Sequence, residues 1–379
     1  MSDEQPMPGR DLEVCKPRPL LSRMQRAVVF YVGAALVAPL SLSGCTADAP
    51  PTGDPSPGSE VASEDSSSSS TASPRTQGVQ RLVLPPAVNA MPGTWRETFA
   101  VSYGPEVEQL GTSRGGEGGA LRYGPESGAP APDGSWWFLD VAKQRLAHYS
   151  SSGAFLEGVQ VPPRLLVDGR YFQWQLPHVL ANGTLVAFRL TSDAGAMLRL
   201  RNGVLDEVSL TAMFSPTYDD GRLLYGTVAD GAPLATLDPD TGAITSASTD
   251  RLPSGAAFTL TDNFDKGELK VDAATASVRL ATVTSSGATA HMGVQMRAGA
   301  DDSLHLFLVG AGDDDPSTQL VGYTRVDLSG AVTRPEPLTN PFSKADRGSP
   351  AQLAIAPGDS TPMLIYVLPD GVHVYRRTS

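Results

Sequence analysis

Hydrophobic residues beyond position 80 occur in short runs, and turn residues separate one run from the next. The runs are rich in β-branched and aromatic side chains, which is typical of strands. A turn followed by such a run recurs six times, with turns at Asp133, Asn182, Asp220, Lys266, Asp302 and Asp359. From Asp133 to Asp359 is 226 residues over five intervals, a mean of about 45 residues.

A second series of turns has the same period. Each ends in glycine, a residue that adopts the positive φ of a tight turn at little cost. From Gly153 to Gly330 is 177 residues over four intervals, a mean near 44, and the members are Gly153, Gly203, Gly242, Gly287 and Gly330. A repeat of this length with several strands per unit indicates a β-propeller. The six markers predict six blades, in an all-β domain over residues 81–379.

Individual stretches resemble known repeats. The phrase from Pro132 to Asp140, with the strands at 144–149 and 152–156 behind it, resembles an NHL repeat. Leu237–Gly242 resembles the turn of PQQ-like blades. The rhythm as a whole resembles that of NHL/TolB-like six-bladed propellers. A two-sheet sandwich is the main alternative, and it would not explain a regular period near 45.

The end of the chain predicts how the ring closes. A sixth glycine of the second series is expected near position 374, and the sequence ends at Ser379. The last blade therefore has no room for an outer strand. A spare strand at 98–103, upstream of the first blade, is expected to pair into the last blade and cover its edge.

The amino-terminal part has the pattern of a secretory signal. Ala27–Leu42 is an apolar run of 16 residues behind Lys16, Arg18, Arg23 and Arg26. A membrane-spanning helix needs about 20 residues, whereas a basic flank with a short apolar run is typical of a signal peptide. A single-pass anchor is the alternative.

The end of the apolar run, Leu42-Ser43-Gly44-Cys45, resembles the bacterial lipobox. The resemblance implies that the Cys45 thiol carries a diacylglyceryl group and that cleavage removes residues 1–44 as a lipoprotein signal peptide. Several acyl chains, such as palmitate, are needed because one chain alone holds a protein only marginally. Translation starts at Met1 or at Met24. Cys15 lies in the removed part, so the mature chain is expected to contain no disulfide.

Residues 45–80 are predicted to form a disordered tether rich in serine and proline, because they cannot bury enough apolar surface to fold. Its 35 residues after the cysteine would span roughly 30–35 Å. The net charge of −12 opposes binding to nucleic acid or to anionic lipid. The residue usage suggests a high-GC genome, as in actinobacteria.

Motifs that could carry chemistry are weak. Gly111–Gly115 matches G-x-S-x-G, but it opens into a glycine run that cannot hold the helix of a nucleophile elbow, so a flexible loop is expected. Asp313–Asp315 is interpreted as a hairpin tip rather than a cation site. Asn182–Thr184 fits a glycosylation sequon, which a strand turn explains fully.

Candidate ligand-binding residues come from the loops that lead into the innermost strands, because these loops open onto the central channel. An aromatic ring with a nearby hydrogen-bond donor could stack on a sugar or another planar ligand. Packing between blades is the alternative for the same residues. The candidates are Glu126, Tyr171, Trp174, His178, His291, Asp346 and Arg347.

These observations predict a non-catalytic, lipid-anchored extracytoplasmic propeller that binds a ligand or acts as a scaffold in the bacterial cell envelope. Its expected partners are the cell membrane, through the lipid at Cys45, and an envelope protein or glycan. No cofactor, metal or nucleic acid is expected. The alternative is a metal-dependent lactonase or sugar-hydrolase-like enzyme, since some six-bladed propellers are such enzymes. Propellers that resemble lactonases hold a divalent cation in the channel with Glu, Asp and Asn side chains.

Overall fold

A computed structural model describes most of the chain from residue 75 onward. The leader, Cys45 and the greater part of the predicted tether lie outside the described residues. The described range is 75–378, apart from residues 115–121, 124, 126, 170–171, 191–194, 213, 220–223, 229–234, 247–249, 252–256, 264–267, 274–275, 284, 288–291, 312–318, 328, 340–350 and 369.

Strands account for nearly all regular structure in this range, and one 3-10 turn, Pro163–Leu165, is the exception among the described residues. Two long strands and a short hairpin come first. They are β1 (Arg75–Val83), β2 (Trp95–Ser102), β3 (Ser113–Arg114) and β4 (Arg122–Tyr123).

Three four-stranded antiparallel sheets follow, and each is made of strands that are consecutive in the chain. Blade 1 comprises β5 (Gly128–Pro130), β6 (Trp136–Asp140), β7 (Arg145–Tyr149) and β8 (Phe155–Gln160). Blade 2 comprises β9 (Gln175–Val179), β10 (Leu185–Leu190), β11 (Gly195–Arg201) and β12 (Val204–Ser209). Blade 3 comprises β13 (Phe214–Asp219), β14 (Leu224–Val228), β15 (Ala235–Leu237) and β16 (Ile244–Ser246).

The remaining strands form three more sheets. A five-stranded sheet, here called the outer sheet, has the order β1-β20-β19-β18-β17; its new members are β17 (Asp250–Arg251), β18 (Ala257–Asn263), β19 (Glu268–Ala273) and β20 (Ala276–Val283). Blade 4 comprises β21 (Met292–Ala298), β22 (Leu304–Ala311), β23 (Gln319–Val326) and β24 (Glu336–Pro337). Blade 5 comprises β25 (Ala351–Ala354), β26 (Met363–Leu368), β27 (Gly371–Arg377) and β2.

The first strands of the five blades lie around a common axis. β5 contacts β9, β13 contacts β21, β21 contacts β25, and β25 contacts β5, while blade 2 meets β13 through β10. β13 and β21 are in direct contact, although β17–β20 of the outer sheet lie between them in sequence. The all-β propeller arrangement is thus present, and the predicted count of six blades is not confirmed.

The outer sheet adjoins the periphery of blade 4. β1 pairs with β20 in parallel, from Arg75↔Ala276 to Val83↔Val283. The chain then leaves β1 along the third strand of blade 4, where Val321 N donates to the carbonyl of Pro85 at 3.1 Å. The outer sheet is thus joined to blade 4 through the segment that follows β1.

The ring closes as the chain end predicted. β2 pairs antiparallel with β27, and Phe99 lies opposite Val374 and Val101 opposite Val372. The outer strand of blade 5 therefore comes from the amino-terminal side of the domain. This pairing covers the edge that β27 would otherwise expose.

The core lies between successive blades rather than within one sheet. Four clusters of buried side chains each join two neighbouring blades: blades 5 and 1, 1 and 2, 2 and 3, and 4 and 5. Because neighbours cover both faces of a blade, its inner strands are buried throughout, and all five residues of β6 are buried. This explains the continuous run Trp136–Leu139, while β8, at the rim, is largely exposed.

Turn glycines adopt the backbone conformation that the sequence predicted. Gly153, Gly203, Gly242, Gly287 and Gly330 all have φ between 70° and 89°. Their regular spacing therefore reflects positions where the backbone needs a positive φ, which residues other than glycine adopt only under strain.

β1 begins at Arg75 and pairs with β20, so this strand includes the last residues of the predicted tether. One local expectation needs correction. Ser113, within the G-x-S-x-G match, lies in the hairpin strand β3, opposite Tyr123. It does not follow a strand into a helix, and the expected flexible loop is a hairpin at this point.

Candidate functional site

A pocket lies on the axis, inside the ring of first strands. Residues of β5, β9 and β21, together with β25 and the residue after it, line the pocket, and its polar side chains are His178, Arg297 and Gln352. The open space is small, ≈ 10 Å³, which is about what one water molecule needs. Among the described residues that line it, none is an aspartate or a glutamate.

One layer of this pocket is formed by equivalent positions of four blades. In each blade the turn after the first strand closes with a backbone hydrogen bond to a carbonyl three residues earlier, at Ala131, Leu180, Gly299 and Ala356. The residue two places before each of these carbonyls lines the pocket. These residues are Ala129, His178, Arg297 and Ala354. Two small side chains thus leave space on the axis, and two long polar ones occupy the same layer.

Glutamines join the first strands just beside this layer. The Gln295 side chain accepts a hydrogen bond from Leu353 N at 2.7 Å and donates one to the carbonyl of Ala351 at 2.8 Å. One blade further on, Gln352 accepts a hydrogen bond from Gly128 N at 3.0 Å. Both glutamines lie four residues before the carbonyl that closes the turn, so the same amide bridge occurs at two successive blade junctions.

His178 lies inside β9, opposite Val186 of β10. Its side chain is buried, with 4% exposed, and its ring meets the edge of Phe188 at 6.2 Å. Leu176, two residues earlier, has a φ of 53°, a conformation that costs a leucine roughly 1–2 kcal/mol. Strained backbone of this kind clusters at functional sites, and here it accompanies the residue that reaches the axis.

Trp174 packs inside the molecule rather than facing the channel. It is 3% exposed and belongs to the core between blades 1 and 2. Its indole N–H donates to the carbonyl of Leu165 at 2.8 Å, and the Arg189 guanidinium lies 4.8 Å from its ring. Of the two interpretations of this tryptophan, the contacts favour packing between blades.

The other candidate residues lie outside the described residues: Glu126, Tyr171, His291, Asp346 and Arg347. They precede the first strands in sequence, whereas the axial pocket is lined toward the carboxyl ends of those strands. His178 is the one candidate that the structure places in the pocket. The pocket residues Arg297 and Gln352, and the bridging residue Gln295, were missed, because no pattern within their own segments marks them.

A second polar cluster lies at the turn between β21 and β22. His305 is 2% exposed; its Nε2 lies 2.9 Å from Ser303 Oγ and its Nδ1 lies 2.7 Å from the Tyr323 hydroxyl. Ser303 Oγ in turn donates to Asp301 at 2.6 Å. Burial, with a smaller contribution from the charge of Arg325, lowers the pKa of His305 from 6.5 to about 4. A neutral histidine bonded at both nitrogens holds the turn against the sheet.

Blade 1 has a related network. Ser135 Oγ donates to Asp133 at 2.6 Å and lies 2.8 Å from His148 Nε2. The His148 ring stacks on Trp137 at 4.1 Å. Because the serine–aspartate pair recurs at the same turn of two blades, it is a structural element of the turns.

Within the described ranges, no three His, Cys, Asp or Glu side chains converge as a cation site would require. In the same part of the chain, no helix has the length and apolarity needed to cross a membrane.

Sheets arranged around one axis, with their core between successive blades and their ring closed by an amino-terminal strand, define the β-propeller class. Within this class, residues 93–377 match the model of a family described as a domain of unknown function, DUF7485. The chain belongs to this family. No curated protein matches the sequence.

Several solved structures are similar in fold at low identity. Hydrazine synthase from Kuenenia stuttgartiensis has 13% identity and a TM-score of 0.41, over 64% of this chain and 74% of that one. Virginiamycin B lyase from Staphylococcus aureus has 11% identity and a TM-score of 0.37, over 66% and 93%. A protein from Lactobacillus plantarum has 13% identity and a TM-score of 0.39, over 68% and 84%.

Proposed function

We propose that this protein is a lipid-anchored, extracytoplasmic propeller that binds a ligand in its axial pocket without catalysing a reaction. The observation that carries the proposal is the pocket itself, in which Arg297, His178 and Gln352 from three blades face one space. Polar groups that converge in a concave site are typical of ligand recognition. The membrane attachment rests on the lipobox resemblance at Cys45.

The anchor is tested with the full-length chain and its Cys45→Ser variant in a bacterial host. We expect the native chain to incorporate labelled palmitate and to enter the detergent phase, and the variant to do neither. Mass analysis of the amino terminus is expected to give an acylated Cys45 as the first residue. Equal membrane partitioning and no label in both chains would contradict the lipid anchor.

Binding without catalysis is tested separately on the purified mature chain. The competing function is that of a metal-dependent lactonase or sugar-hydrolase-like enzyme. Metal analysis followed by a lactone hydrolysis assay distinguishes the two, because an enzyme of this kind would hold one divalent cation per chain and turn over the lactone. We expect neither result, and stoichiometric metal together with turnover would favour the enzyme.

A further inference from the structure

We propose that the ligand group held in the axial pocket is a carboxylate, recognised by Arg297 and His178. This inference deepens the proposed function and rests on its binding pocket. The carboxylate belongs to a small organic acid or to an acidic sugar, because the space on the axis admits the terminal group of a ligand rather than a whole large molecule.

Among the described residues that line the pocket, the charged side chain is the cation Arg297. The protein has a net charge of −12, yet an arginine and a histidine line the pocket and no aspartate or glutamate does so among the described residues. A guanidinium group on the axis favours an anionic ligand, and in a partly desolvated site this attraction is stronger than in water. Arg297 therefore offers an anionic ligand a cationic partner in a chain of negative net charge.

Geometry favours a carboxylate over other anions. The planar guanidinium fork matches the two oxygens of a carboxylate and binds them with parallel hydrogen bonds. The open space of ≈ 10 Å³ suits a flat group that replaces about one water, whereas a tetrahedral phosphate is bulkier. Ala129 and Ala354, in the same layer, keep this space open.

The side-chain amides of Gln295 and Gln352 hold the strands around the pocket in position before a ligand binds. Because Gln352 bonds the backbone of the next blade, two of the strands that form the pocket keep their relative position without a ligand. Arg297 and His178 have other partners in the fold, and the carboxylate would join or replace these partners on binding. Preorganisation of this kind reduces the cost of ordering on binding.

The experiment uses the mature chain in detergent and isothermal titration with succinate and acetate. Acetamide serves as the uncharged probe, and phosphate at equal ionic strength as the other anion. We expect saturable binding of a carboxylate and none of acetamide. Arg297→Gln should weaken carboxylate binding by about tenfold or more, since charged hydrogen bonds are lost. The exposed arginine Arg279, on β20, gives the control Arg279→Gln, which should bind as the native chain does.

A second variant keeps the test decisive if Arg297→Gln does not fold. Arg297→Lys retains the charge and loses the fork, so we expect a smaller loss of carboxylate affinity and a weaker preference for carboxylate over phosphate. Binding of equal strength in the native chain and both variants would overturn the proposal. So would the failure of both carboxylates to bind, or tighter binding of phosphate; neither result bears on the lipid anchor or on the absence of turnover.

Discussion

The side-chain oxygen of Gln352 accepts a hydrogen bond from the backbone N–H of Gly128, with 3.0 Å between N and O. This hydrogen bond joins residues that are 224 positions apart in the chain. It links the first strand of blade 5 to the first strand of blade 1, where the carboxyl-terminal and amino-terminal parts of the ring meet. Gln295 makes the equivalent bond one blade earlier. These glutamines therefore stabilise the ring from its axis, while β2 closes it at the rim.

Removing the Gln352 amide tests its contribution to stability. Gln352→Leu leaves the N–H of Gly128 without its partner beside the axis, and we expect the free energy of unfolding in urea to fall by about 1–3 kcal/mol. Gln160→Leu is the matched control, because the Gln160 amide bonds backbone carbonyls at an exposed position where water can replace it. Its change should stay within about 0.5 kcal/mol. Equal losses in the two variants would show that the bridge contributes nothing specific.

Two valines, one on the closing strand β2 and one shortly after it in the chain, separate the effect of burial on stability from that of position in the sequence. Val101, on β2, is 5% exposed and packs between blades 5 and 1, whereas Val107 is 65% exposed. Val101→Asp places an unpaired charge in the core, and we expect a loss of about 3 kcal/mol or more in unfolding free energy. Val107→Asp should change it by no more than about 0.5 kcal/mol. If Val101→Asp were equally harmless, the pairing of β2 with β27 would be wrong.

Glycine turns give a third prediction, because two of them differ in what surrounds them. Gly183 has a φ of 80° and open space at the Cβ position. Gly183→Ala should therefore cost only the backbone strain, about 1–2 kcal/mol. Gly153 has a φ of 82°, and an added Cβ would lie 2.8 Å from Cβ of Phe99 on the closing strand. We expect Gly153→Ala to lower the thermal midpoint distinctly more than Gly183→Ala, and the reverse order would contradict the contact.

The lowered pKa of His305 predicts how the stability of the fold depends on pH. Burial lowers its pKa to about 4, and the unfolded chain has the ordinary value near 6.5. Between these values the unfolded state binds a proton that the native state does not, so the contribution of His305 is complete above pH 6.5 and is lost as the pH falls toward 4. The whole contribution is about 3 kcal/mol. The charged and titratable groups that face the ring are Asp301, Tyr323, Arg325 and Arg377.

The measurement compares urea unfolding of the native chain and His305→Gln at pH 7 and pH 4.5. Glutamine can still bond Ser303 and Tyr323 but does not titrate. We expect the loss of stability on acidification to be about 2–3 kcal/mol smaller in the variant. An unchanged pH dependence would mean that His305 is not held neutral in the native state. Lowered carboxylate pKa values, such as that of Asp301, act at lower pH and remain in both chains.

Turns and strands could be predicted because their causes are local. Gly134 and Gly153 adopt positive φ, and the run from Trp136 to Leu139 is apolar because neighbouring blades cover both faces of β6. The pairing of the spare strand near Phe99 with the last blade was predictable by elimination, since the chain end left one place unfilled. Each of these inferences needed only the composition of a short segment or the arithmetic of one repeat.

Candidate site residues were predictable only in part. His178 was chosen as a loop residue ahead of a first strand, and the structure places it inside β9. Arg297 and Gln352 sit on strands from blades 4 and 5, and nothing within either segment indicates that both face the pocket that His178 lines. Sequence patterns predict which face of a strand is buried, but they do not show which strands meet at the axis, and some of these strands lie more than a hundred residues apart.

By itself, the sequence determined that the chain makes repeated sheets of about 45 residues each, with glycine turns and a segment reserved for closure, because backbone sterics and hydrophobic periodicity act over a few residues. Only the tertiary structure decided which sheets surround the axis. The strands that follow the sequence marker at Lys266 join the outer sheet, in which β20 pairs with β1, because strand pairing depends on long-range contacts that no local pattern indicates. The same long-range packing brings Arg297 and His178 into one pocket.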